Sequence, residues 1–136
     1  MRAFIDGGAR GNPGPAGYGV LITDERGAPV AELHRPLGVA TNNVAEYHAL
    51  VAALTWLVDH GHRAAEIRSD SELLVRQMRG EYRVKNAGLR PLHAQARALA
   101  AALDQVTIIH VPRAENAEAD RLANLAMDEA QAASSS

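Results

Sequence analysis

Strand-like runs fill the start of this chain before any helical period appears, and only from Val44 onward do helices and strands take turns. Arg2-Ala3-Phe4-Ile5-Asp6 is a short β-type run that stops at Gly7-Gly8. Gly11-Asn12-Pro13-Gly14-Pro15 reads as a loop, because two prolines and two glycines in five residues break regular structure. Tyr18 to Thr23 and Pro29 to Leu37 are two further strands, with Asp24-Glu25-Arg26-Gly27 as the hairpin connection between them. From Val44 to Asp59 the apolar residues Val44, Tyr47, Leu50, Val51, Leu54, Leu57 and Val58 recur at spacings of three and four, the period of a helix that Gly61 can stop. A strand over Ala65–Ser69, a helix over Ser71–Arg79, an irregular stretch from Gly80 to Gly88 and a helix over Leu89–Leu103 follow. Pro91 is tolerable in the first turn of that last helix. Val106 to Val111 is a β-branched strand ending at Pro112, and a final helix starts near Asn116. The order βββαβααβα predicts an α/β domain with a mixed sheet. We expect one domain over residues 1–128 and a flexible Ala/Ser-rich tail over 129–136.

The totals narrow the class. A chain of 136 residues with 47% hydrophobic and 22% charged residues is an ordinary globule able to bury a sizeable core. It has no cysteine, which excludes disulfides and thiolate metal sites and suits a reducing cytoplasm. No apolar run approaches the roughly 20 residues that span a bilayer, and no exposed apolar stripe suggests a partner surface, so a monomer is expected. A net charge of −2 argues against a nucleic-acid partner on charge alone. A bound metal answers that objection, since it can face phosphates directly.

Four acids stand in distinctive frames: Asp6 in Phe4-Ile5-Asp6-Gly7-Gly8, Glu46 in Asn42-Asn43-Val44-Ala45-Glu46, Asp70 in Arg68-Ser69-Asp70-Ser71, and Asp120 in Glu115-Asn116-Ala117-Glu118-Ala119-Asp120. Each has an ordinary reading. Asp6 can open a turn, Glu46 can complete a capping box with Asn43, Asp70 can cap a helix, and Asp120 can sit in a first helical turn. Together they read differently, for two end strands and two lie near the start of helices that can pack across the sheet. In α/β sheets, ligand sites favour strand ends near a switch in strand order. Carboxylates gather at one point only if something cancels their repulsion, and magnesium, a hard cation that takes oxygen ligands beside substrate phosphates, does so. The residues therefore point to a metal-dependent phosphodiester hydrolase. The glycine-rich stretch is not a nucleotide loop, since it lacks both the Gly-Lys-Ser/Thr ending and the third glycine of a dinucleotide fingerprint. Among the six histidines there is no His-Glu-x-x-His, and His60-Gly61-His62 reads as an exposed helix end.

Asp6-Gly7-Gly8 with Gly11 to Gly19, Thr41-Asn42-Asn43-Val44-Ala45-Glu46, Ser69-Asp70-Ser71 and Glu115 to Asp120 fall in order along nearly the whole chain. In this they resemble the type 1 ribonuclease H family. That resemblance implies a ribonuclease H-like fold, a five-stranded mixed sheet flanked by helices on both faces. It also implies an endonuclease using two Mg²⁺ or Mn²⁺ ions to cut the RNA strand of an RNA/DNA hybrid, leaving 5′-phosphate and 3′-hydroxyl ends, with duplex RNA as a second candidate substrate. By position, Asp6, Glu46, Asp70 and Asp120 become metal-binding catalytic carboxylates. Asn12, Asn42 and Asn43 become candidates for reading the minor groove, and Thr41 and Asn86, with Lys85 beside it, match a pocket for a DNA-strand phosphate. The chain departs from the pattern twice. Where many members carry a loop histidine that helps product leave, Arg113 stands nearest. It is either a phosphate-binding or release group or a solvated charge, with His110 a weaker candidate for the same task. Where many insert a basic, tryptophan-rich handle, Glu81-Tyr82-Arg83-Val84-Lys85 is too short, so weaker and less salt-sensitive binding is expected. Another nuclease or strand-transfer enzyme on the same scaffold, and a non-catalytic hybrid-binding module, stand as the rival readings.

Overall fold

The computed structural model describes residues 1–135. Its elements run β1 (Arg2–Ala9), β2 (Gly14–Thr23), β3 (Pro29–Ala40), α1 (Asn42–Asp59), β4 (Ala64–Ser69), α2 (Glu72–Met78), α3 (Arg90–Ala101), β5 (Gln105–His110), a 3-10 turn (Arg113–Asn116) and α4 (Ala117–Ser135). The strands form one five-stranded sheet in the order β3-β2-β1-β4-β5. β1 is its pivot, antiparallel to β2 and parallel to β4, and β4 in turn runs parallel to β5. The expected mixed sheet is what forms. Among the described residues no helix is long and apolar enough to cross a membrane.

Alternation along β1 sorts its side chains to two faces. Ala3 and Ile5 join Val20, Ile22 and Ile67 in a core covered by Leu50, Leu54 and Leu57 of α1 and Leu74 of α2. The opposite face receives α4 through Ala119, Leu122, Ala123 and Ala126, all buried. Glycines let the helices settle this closely. A Cβ on Gly7 would stand 2.4 Å from the Ala45 carbonyl carbon, and one on Gly19 would stand 2.5 Å from the Ala119 carbonyl oxygen.

Those contacts explain where the strands outrun their expected ends. β1 continues through Gly7-Gly8 to Ala9, and β2 begins at Gly14 inside the segment expected to be loop, because Gly8 pairs with Gly17 and Ala9 with Ala16. Glycine here serves close helix approach as well as turning. β3 runs on past Leu37 to Ala40, with Pro29 and Pro36 accommodated on an edge strand that needs few ladder bonds on its outer side.

The helix caps also differ from the expectation. Thr41, not Asn43, caps α1, its Oγ1 accepting from the Val44 amide at 3.2 Å. Ser71, not Asp70, caps α2, accepting from the Leu74 amide at 3.3 Å. Segment 129–135, expected as a loose tail, is the last part of α4. Ala130 is buried there, and Glu129 approaches His34 at 2.9 Å. Ser136 lies outside the described residues.

Candidate active site

The cleft opens at the carboxyl ends of β1 and β4, where the pairing between them stops at Ile5–Ser69. Beyond that register the strands part, and a crevice forms where the sheet switches from antiparallel to parallel order. The cleft encloses about 710 Å³, and Asp6, Glu46, Asp70 and Asp120 all line it, with His110, Arg113, Asn42, Asn43, Asn124 and Met127. Four separate pieces of chain deliver the acids. β1 carries Asp6, the turn after β4 carries Asp70, the first turns of α4 carry Asp120, and α1 carries Glu46. Gly7 is what admits Glu46, since the α1 backbone at Ala45 and Glu46 rests directly on it.

The electrostatics are those of a crowded anionic site. Burial, above all, pushes Asp6 up to about 8, helped by the Asp70 charge and by the Asp120 carboxyl, close enough to share its proton, while the Gly7 amide pulls the other way. Burial likewise pushes Glu46 up to about 7, opposed by a hydrogen bond from Ser71 and aided by the Asp70 charge. Among the described residues no ion pair joins a lysine, arginine or histidine to any of the four acids.

The ordinary readings of two acids fail here. Glu46 and Asp70 do not cap helices, because Thr41 and Ser71 do, so their carboxylates are left to the cleft. Among the described residues no group of three or more His, Asp or Glu side chains is already gathered as an ion cage. The acids instead ring the cleft in an open array. The donor set still suits a divalent cation: every carboxylate is a hard oxygen ligand, and among the described residues none of the four is neutralised by an ion pair. A divalent cation held by these carboxylates would supply that compensation.

The other expected residues divide between two places. Arg113 lies on the wall of the acidic cleft, at the start of the 3-10 turn. Asn42 lines the same cleft while its Oδ1 accepts from the Ala9 amide at 2.7 Å, tying α1 to the end of β1. Asn12 lies outside the cleft, and its Oδ1 accepts from the Asn42 amide at 3.0 Å. Lys85 and Asn86 line a separate groove of about 510 Å³ with Leu73, Tyr82 and Leu89, and Asn43 borders both hollows. Thr41 lines neither and serves as the α1 cap. Asn124 and Met127 escaped the sequence reading. Asn124 sits one helical turn after Asp120, donating to its carbonyl at 2.9 Å, a spacing visible only once α4 is known to start at Ala117.

An acidic cleft at the fork of a five-stranded mixed sheet in this strand order defines a ribonuclease H-like domain. The family described as reverse transcriptase-like matches residues 4–126. Ribonuclease HI of Halobacterium salinarum is 45% identical over 130 residues, covering 96% of this chain and 65% of that protein. Bifunctional protein Rv2228c of Mycobacterium tuberculosis is 49% identical over 126 residues, covering 92% of this chain but 35% of that protein. The chain thus spans about a third of the length of its mycobacterial relatives. Among solved structures, the N-terminal RNase H domain of Rv2228c superposes with a TM-score of 0.95 at 46% identity, covering 98% of this chain and 96% of that one. LC11-RNase H1 in complex with an RNA/DNA hybrid superposes with a TM-score of 0.90 at 45% identity, covering 96% and 98%. The chain belongs to this family, as a type 1 ribonuclease H domain.

Proposed function

We propose that this domain is an endoribonuclease that hydrolyses the RNA strand of RNA/DNA hybrids, leaving 5′-phosphate and 3′-hydroxyl ends. The observation that carries the reading is the convergence of Asp6, Glu46, Asp70 and Asp120 on one cleft, with no ion pair to any of them among the described residues. These four would hold two Mg²⁺ or Mn²⁺ ions. When bound, such ions lower the pKa of the attacking water and neutralise the leaving 3′-oxygen. The solved complex of LC11-RNase H1 with a hybrid supports the same substrate here.

The chain's own residues do the rest. Asp6, on the central strand and lining the same cleft as Asp70 and Asp120, would be one of the residues holding the metal. Glu46, across the cleft, approaches the 2′-hydroxyl beside the cut, the group that separates RNA from DNA. Arg113 on the cleft wall offers a guanidinium to the displaced phosphate and cannot serve as a neutral base. The side chains of Lys85 and Asn86 in the neighbouring groove would take a phosphate of the DNA strand.

The test is cleavage of a labelled RNA/DNA hybrid in Mg²⁺, in Mn²⁺ and in chelator, beside single-stranded RNA, duplex RNA, duplex DNA and a four-way junction. Metal-dependent cutting of hybrid RNA is expected, and a preference for the junction or for duplex DNA would replace the reading with another nuclease of the fold. Asp70→Asn should keep the parent melting temperature and lose at least about 10³-fold in kcat, the scale of removing transition-state electrostatics. Parent-level cutting by that variant would remove Asp70 from the site.

A further inference from the structure

We infer that Asn116 is a positioning residue that holds Asp6 and Asp120 in register, an inference whose catalytic half rests on the hydrolase reading above. Asn116 closes the 3-10 turn immediately before α4 and is 1% exposed. It does not line the cleft, so it acts through its neighbours. Its Nδ2 donates to the Ile5 carbonyl at 2.8 Å, joining residues 111 apart in sequence.

Ile5 is the last β1 residue paired with β4, opposite Ser69. The Asn116 amide therefore grips β1 at the fork where the ladder ends and the cleft begins. Asp6 follows Ile5 by one peptide, and Asp120 follows Asn116 by four residues, one helical turn. A single hydrogen bond thus ties the strand bearing one carboxylate to the helix start bearing the other.

The second observation is the other half of that amide. Asn116 Oδ1 is buried with no hydrogen-bond partner among the described residues. A side chain serving only to fill this space would do better as leucine, with the same branching and no buried lone pair. The chain keeps an amide there, and what the amide supplies is a directional donor. The Asn116–Ile5 bond fixes how far the start of α4 stands from the end of β1, and with it the placing of the two carboxylates that follow them in the chain.

Asn116→Leu is the variant that tests this, because it preserves packing and removes the donor. Melting temperature, amide exchange across residues 113–121, Mn²⁺ affinity by calorimetry without nucleic acid, and kcat and KM on hybrid would be read together. The expected result is a melting temperature within a few degrees of the parent, faster exchange across residues 113–121, and a loss of about 10–100-fold in both kcat and Mn²⁺ affinity, the scale seen when a group orienting a ligand is removed. KM should stay within about twofold, since Asn116 touches no substrate. If leucine overpacks and the variant fails to fold, Asn116→Ser, too short to reach Ile5, carries the same readouts. Parent-level exchange with parent-level kcat and Mn²⁺ affinity would overturn the inference, as would a lowered melting temperature with kcat unchanged well below the transition. Should the parent protein itself neither bind Mn²⁺ nor cut hybrid, the hydrolase reading falls alone. Exchange across residues 113–121 then still decides the tether, faster exchange upholding it and unchanged exchange ending it.

Discussion

Asp6 and Glu46 hold protons that free carboxylates release, pushed up to about 8 and about 7 chiefly by burial. Two consequences follow at this scale. Because the folded-state values lie above the ordinary 3.8 and 4.5, the stability these groups contribute is fully present below about pH 4 and is lost as pH rises through about 7 to 8. In chelator the protein should therefore melt lower at about pH 8.5 than at about pH 6, and Mg²⁺ should raise the melting temperature by several degrees more at the higher pH, where it replaces missing protons. A thermal scan at both pH values, with and without Mg²⁺, checks this, and equal Mg²⁺ effects at both would mean that neither carboxyl meets the ion. The second consequence is kinetic. Cleavage at low Mg²⁺ should climb with pH through the same window, and raising Mg²⁺ should move the climb to lower pH, because metal and proton compete for the same oxygens.

At the scale of elements, the site depends on how closely two helices lie against the sheet. α1 rests on Gly7 and α4 rests on Gly17 and Gly19, each where a Cβ would meet helix atoms at 2.4–2.5 Å. A methyl group forced into packing this close costs about 1–3 kcal/mol or more, and the two replacements should differ in what else they do. Gly17→Ala pushes α4 outward at Ala126, six residues past Asp120, and should lower the melting temperature by several degrees. Gly7→Ala pushes α1 at Ala45-Glu46, so it should also cut kcat by about 10-fold or more, as small displacements of a positioning element do. Circular dichroism melts beside kinetics on hybrid would separate these effects. Equal losses of kcat at matched loss of stability would mean that the α1 contact positions nothing.

Over the whole molecule, the net charge of −2 and the short Glu81–Lys85 segment leave few cations to meet phosphates. Hybrid affinity, measured with Asp70→Asn to prevent cutting, should fall with salt at a shallow slope of about −2 to −3 on logarithmic axes, since each neutralised phosphate contributes roughly −0.9. A slope nearer −6 would reveal a basic surface that the described residues do not suggest.

The sequence by itself determined the order of elements and nominated the four acids, because hydrophobic period and residue frames are local properties. It missed the true extent of β1 and β2, since the glycines that read as strand ends are paired residues making room for helices packed from above and below. It also offered Asn43 and Asp70 as caps, and only the folded backbone decided that Thr41 and Ser71 take those places, releasing Glu46 and Asp70. Asn116 had no chemical reading in the sequence, since its partner, Ile5, lies 111 residues away. The cleft was decided by tertiary structure alone. Its charge arises only when strands and helices far apart in the chain bring their carboxylates within one another's field, and no local pattern encodes that distance.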